Sequence, residues 1–292
     1  MWRSILGGIL LALVSGDATA DKPPRHGFID AHVHLNDSAL QQALMAEYGV
    51  SRAVVFWGRD GNNESILAAA EAEPKLFIPF VSVSPERARY REAWSGDPRP
   101  LLDELERLLS TRRFRGIGEI SVVHFPSPGF PEADFSPLSA MMVGIMEAAR
   151  RHDVPVMIHC EVTRLHEFGE LLERFSDVPV IWAHGGYTPL FLAERMLRRH
   201  HNLYYELSAR TWPQHPRAPD YTILRDGMRV WPEWLALIES MPTRFLVGTD
   251  ASHRSRTFER IKVESVQRFL DQLSPDTRRA VAEGNLARLL KL

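Results

Sequence analysis

Eight short apolar runs, each followed by a stretch of helical periodicity, constrain this chain more than any other feature. The runs cover 28–34, 53–57, 77–83, 116–123, 154–160, 178–184, 203–207 and 245–249. Several of them, such as the one through Val156, Met157 and Ile158, are continuously apolar. That pattern belongs to strands buried on both faces of a parallel sheet. The helical stretches cover 37–48, 64–73, 101–111, 138–152, 165–175, 190–200 and 232–240, with 258–273 and 275–290 closing the chain. Asp37 is placed to cap the first of them. Leu101, Leu102, Leu105, Leu108 and Leu109 mark one face of the third.

Eight strand–helix units in about 265 residues predict an α/β fold of the (β/α)8 TIM-barrel type. A doubly wound open sheet is the alternative. It often carries a glycine-rich phosphate loop after its first strand, where this chain has His32 and His34. No internal repeat, low-complexity block or interdomain linker is found, so 21–292 reads as a single domain. The longest irregular stretches, 125–137 and 208–230, follow the fourth and seventh runs. Both belong to the barrel face where active sites sit.

The first twenty residues read as a signal peptide rather than as part of the fold. Met1, Trp2 and Arg3 make a short positive start, 5–14 is apolar, and Ala18, Thr19 and Ala20 form a small-residue cleavage site. The apolar run is too short to cross a bilayer, which takes about 20 residues. The expectation is a periplasmic or secreted protein with no stable membrane anchor. A formal net charge of −2 gives no reason to expect nucleic acid as a partner. The single cysteine, Cys160, excludes an intrachain disulfide and a thiolate-rich metal site.

Twelve histidines remain as soft-metal ligands, and their placement is informative. His32 and His34 are two apart on a strand, so both imidazoles share a face. Glu119, His159, His184 and Asp250 each end an apolar run. A buried carboxylate must be paired or bind metal; for Glu119 the plainer reading is a pair with Arg115 or Arg210. Asp250 could equally cap the following helix. Together these residues place three to six imidazole and carboxylate ligands around one barrel mouth. That donor set suits zinc, with manganese, iron or cobalt as other occupants. Cys160 points to the opposite strand face from His159 and reads as a packing residue.

These segments resemble the metal-dependent amidohydrolase superfamily. The likeness rests on the run from Phe28 through Asp30, His32 and His34, on Gly118 with Glu119, and on Ile158 with His159. Trp182 to Gly186, Gly248 to Asp250 and the terminal 284–290 extend it. It is closest to the amidohydrolase-related branch, which contains small-molecule hydrolases and decarboxylases. The resemblance implies that His32, His34 and His159 bind metal, that Asp250 binds metal or the attacking water, and that His184 binds a second metal or the substrate. Many members bridge two metals with a carboxylated lysine on the fourth strand. The four lysines here, Lys22, Lys75, Lys262 and Lys291, all lie elsewhere. Glu119 stands near that place and resembles the bridging glutamate of other members, so one ion or two depends on its reach.

The activity expected is hydrolysis of a C–O or C–N bond in a small lactone, ester or amide. Asp250 would carry the proton, and His184 would bind metal or stabilise the oxyanion. Arg210 and Trp212, in the long loop after the seventh run, and His253 are expected to bind substrate, which the arginines suggest is anionic. A non-oxidative decarboxylase of an aromatic or unsaturated acid is the second reading, and a non-catalytic binding barrel the third. Self-association into a homo-oligomer is left open.

Overall fold

The structure, a computed structural model, describes residues 25–58, 61–85, 88–126, 132–215 and 221–292. The expected signal peptide lies outside the described residues. All eight runs become strands: β1 Phe28–Leu35, β2 Val50–Trp57, β3 Phe77–Pro79, β4 Ile117–His124, β5 Val156–Cys160, β6 Val180–Trp182, β7 Leu203–Glu206 and β8 Phe245–Leu246. β1, β2 and β3 pair in parallel, and β4 to β8 pair in parallel in sequence order. Two seams join these groups. Val81 bridges to Ile117 and Val33 to Ala251. Val81 N donates to Gly116 O at 2.9 Å, and Ala31 N donates to Val247 O at 2.9 Å. The sheet is therefore a closed eight-stranded parallel barrel.

β6 and β8 are shorter than their apolar runs for a physical reason. The chain leaves the sheet through left-handed backbone at His184, φ 54°, and at Asp250, φ 50°. The helices follow expectation closely, and Asp37 does cap the first of them, Ser38–Tyr48, accepting from Leu40 N at 2.9 Å. Helix Ala88–Ser95 was not expected, since its arginine-rich sequence has little apolar face. Two-residue strands were also unforeseen, being too short for periodicity: Ala133–Asp134 against β4, and the hairpin Leu224–Arg225 with Arg229–Val230. The final helical stretch is interrupted by a π turn at Ala280–Gly284.

The barrel has an apolar floor and a polar rim. Ile29, Ala31, Val54, Phe56, Ile78, Phe80, Met157, Ile181 and Leu246 fill the interior, and Leu286 and Leu290 of helix Asn285–Leu290 plug its lower end. A larger apolar cluster fills the layer between barrel and helices. β1 passes from floor to rim through an irregularity. Asp30 pairs with Ala53 and Val33 with Val55, so β1 holds one more residue than β2 across this step. This bulge lets His32 and His34 follow Ile29 and Ala31 into the interior, where strict alternation would have sent Val33 and Leu35. Among the described residues, no helix is long and apolar enough to cross a membrane.

Candidate metal centre

Four atoms from β1, β4 and the turn after β8 converge on one point. His34 Nε2 lies 3.3 Å from Glu119 Oε2 and 3.5 Å from Asp250 Oδ1. His32 Nε2 lies 3.4 Å from Glu119 Oε2 and 3.7 Å from Asp250 Oδ1. Ligands held tetrahedrally at zinc bond lengths stand about 3.4 Å apart. His32 Nε2 is completely buried and has no hydrogen-bond partner. An orphaned buried nitrogen at this spacing fits a divalent ion. His34 and Asp250 keep side-chain exposures of 23% and 22%, so the point remains open to a small molecule.

Glu119 faces two ways. Its Oε2 belongs to that quartet, while its Oε1 lies 2.9 Å from His159 Nδ1 and 3.7 Å from His184 Nε2. The arginine pairing considered for it is absent: Arg115 donates to Leu290 O, and Arg210 to Thr188 O. Each imidazole is anchored through its other nitrogen. His32 Nδ1 meets Glu206 Oε2 at 3.2 Å, His34 Nδ1 meets Trp57 O at 3.2 Å, and His184 Nδ1 meets Ser208 O at 3.1 Å. His159 is reversed, with Nε2 on Glu161 Oε1 at 3.1 Å. An acceptor behind each ring fixes orientation and tautomer, as behind metal-ligating histidines generally.

The electrostatics lack positive charge. Burial alone would push His32 and His159 down. The carboxylates of Glu119 and Glu206 instead hold His32 well above its usual value, and Glu119 with Glu161 raises His159 to about 9. Burial likewise opposes ionisation of Glu119, yet His32, His159 and His34 together hold its carboxyl well below the ordinary range. His184 is pushed well down, first by burial and then by His32 and His159, and stays neutral. Protons on two imidazoles thus stand where a cation would balance the carboxylates.

Local backbone supports the arrangement. His184, Tyr187, Ala209, Asp250 and His253 all have positive φ without being glycine. Each such residue costs on the order of 1–2 kcal/mol, and here they gather at one rim. At Gly248 a Cβ would stand 2.6 Å from Glu206 Oε1 and 2.9 Å from His32 Cβ, so only glycine lets β8 approach these groups.

A sequence profile described as amidohydrolase matches residues 29–292. The chain belongs to the amidohydrolase family. Its fold is similar to that of an uncharacterised TIM-barrel protein from Bordetella bronchiseptica, with TM-score 0.63, 16% identity, and coverage of 91% of this chain and 99% of that one. It is also similar to 2,6-dihydroxybenzoate decarboxylase from Rhizobium, with TM-score 0.58, 12% identity, and coverage of 91% and 98%. A third is 5-carboxyvanillate decarboxylase from Novosphingobium aromaticivorans, complexed with manganese, with TM-score 0.58, 14% identity, and coverage of 89% and 82%. No curated protein is matched by sequence.

The three residues expected to meet substrate stand outside the imidazole–carboxylate cluster. Arg210 is directed out of the barrel, with Cζ 5.2 Å from the ring centre of Trp234 and 5.9 Å from that of Tyr205. The chain has left β7 at that point and turns outward through left-handed backbone at Ala209, φ 59°. Trp212 stacks on His215 at 5.7 Å and meets Phe258 edge-on, with Lys262 Nζ 4.9 Å from its ring. It lies in a wall beside β8 rather than among the imidazoles. His253 spends both nitrogens on the protein: Nδ1 accepts from Asn36 N at 3.1 Å, and Nε2 meets Gln41 Oε1 at 2.9 Å. Burial pushes it down to about 4, so it is a neutral stitch between the first and last strand–helix loops.

Sequence reasoning missed Glu206, Glu161, His124 and Tyr187. Glu206 ends β7, but the apolar run in the sequence continues past it to Leu207. Glu161 lies two beyond His159, the same spacing that singled out His32 and His34. His124 ends β4, with its ring 5.0 Å from that of His159. Tyr187 carried no signal; its ring stacks on His184 at 5.1 Å and on Tyr221 at 4.4 Å.

Proposed function

We propose that the chain is a metal-dependent hydrolase that cleaves a C–O or C–N bond of a small molecule at a two-ion centre. The observation that carries this reading is the double-facing carboxylate of Glu119, one oxygen toward His32, His34 and Asp250, the other toward His159 and His184. Paired sites of this kind suit hydrolysis, because they stabilise both the attacking and the leaving oxygen. Ions held there supply Lewis acidity to a carbonyl and lower the pKa of water from 15.7 to about 7. Zinc is the proposed occupant, with manganese as the chief competitor.

The protein's own groups do the rest. Asp250, at the open edge of the quartet, takes the proton from water and returns it to the leaving group. Glu206 binds His32 through Nδ1, and its Oε2 also accepts from His184 N at 3.1 Å, so one carboxylate positions two imidazoles. Neutral His184 turns Nε2 toward Glu119 Oε1, where with His159 it would hold the second ion. Tyr187 and Tyr221 form a flat wall next to it, and His215 stands 5.0 Å from Tyr187.

That aromatic wall favours a second reading, decarboxylation of an aromatic acid. Metal analysis together with a product assay separates the two. The hydrolase reading expects two ions per wild-type chain, one in Glu119→Gln, and turnover of lactones or amides without CO2. A single ion in the wild type, or CO2 from a hydroxybenzoate with every ester and amide inert, sinks it.

A further inference from the structure

Outside the barrel, behind β7, a cavity of about 580 Å3 opens beside the turn Ala183–Tyr187 and the start of helix Pro232–Ser240. Its size is that of a small-molecule site. Its buried wall is the guanidinium of Arg210, which is 1% exposed. Nη2 donates to Thr188 O at 2.9 Å, while Nε and Nη1 are buried with no partner. Among the described residues no carboxylate pairs with it. A guanidinium is always charged, and a buried charge without a counter-ion is costly. The rings of Trp234 and Tyr205 compensate only in part. The placement is built in: Arg210 N donates to Leu207 O at 3.0 Å, and Ile223 N donates to Arg210 O at 2.7 Å.

The rim adds charge of the same sign and a second aromatic surface. Arg225 borders the cavity with Cζ 5.8 Å from the ring centre of Trp231, which is 44% exposed. Asp226 also borders it, but its carboxylate is taken by Arg229 at 2.6 Å. Two guanidinium groups and two tryptophans therefore surround the space with, among the described residues, no free opposing charge. Tyr187 separates it from His184, forming a shared wall with the imidazole cluster.

We propose that this cavity is a second ligand site, taking an organic carboxylate with a flat apolar body. The carboxylate pairs with the buried, unmatched guanidinium of Arg210, and Trp231, Trp234 and Tyr187 flank the body. The site stands on the buried guanidinium and is independent of which reaction the metal centre performs.

Calorimetric titration of the whole chain with 2-naphthoate tests this, with 2-naphthamide as the uncharged match. Saturable binding of the acid is expected, about 10- to 100-fold tighter than that of the amide, as for a hydrogen bond to a charged group. Arg210→Met should weaken it by a similar factor, and Trp231→Ala by about 3- to 10-fold. His34→Ala, which breaks the metal quartet, should leave it unchanged. Equal binding of acid and amide, wild-type affinity in folded Arg210→Met, or loss of binding in His34→Ala would each overturn the proposal; the last would assign the acid to the metal centre. If Arg210→Met does not fold, Arg225→Met and Trp231→Ala at the rim decide, and undiminished binding in both overturns it.

Discussion

The imidazole rim and the cavity behind β7 are buried in opposite predicaments. At the rim, Glu119, Glu161 and Glu206 face five histidines, and two of those histidines are driven to hold protons they would otherwise shed. Behind β7, Arg210 has lost its water and gained no carboxylate. One place lacks a cation and the other an anion, though Tyr187 lines the second and stacks on His184 of the first. The lesson is that buried charge is best read by its sign and by what remains unmatched, since each imbalance names the class of ligand that removes it.

The contrast can be broken most sharply at Asp250. Asp250→Asn keeps an oxygen ligand but cannot carry a proton. Turnover should fall by on the order of 10^3-fold, the size of a lost general base, with ion content by elemental analysis largely retained. Near-normal rates in that variant would remove Asp250 from the chemistry. The next largest effect should come from Glu206→Gln, which weakens the anchor behind His32 and His184 without touching the front of either ring. Metal affinity should drop by about 10- to 100-fold, measured by competition with a chelator, while naphthoate binding behind β7 stays as it was. Equal losses at both places would mean that the two are not separate.

The smallest effect concerns a histidine that belongs to neither imbalance. His253 is neutral and satisfied, with its pKa pushed down by burial from 6.5 to about 4. Its contribution to stability is fully present above pH 6.5 and is lost as the pH falls toward 4, where the unfolded chain binds the proton more readily. The loss should be on the order of 3 kcal/mol. Denaturant melts of wild type and His253→Gln across that interval check it: the variant should show the shallower pH dependence.

Much of this was legible in the sequence because a polar side chain ending an apolar strand is expensive to leave alone. His32, His34, Glu119, His159, His184 and Asp250 could be picked out on that ground, as could the eight strands carrying them. What escaped depends on closure of the barrel. Glu206 looked like an interruption within a run until β7 was placed between β6 and β8. The outward path of Arg210 follows from left-handed backbone at Ala209, a conformation that alanine does not advertise. His253 is occupied by Asn36 and Gln41, partners more than 200 positions away, so no local pattern could show that both its nitrogens were taken.

The extra residue in β1 has a consequence for how readily this mouth could be lost. Were β1 to stay in strict register with β2, the same sequence would turn both leading imidazoles toward the surrounding helices and line the opening with Val33 and Leu35. The difference between a polar vestibule and a greasy one is, on this strand, a single step of pairing.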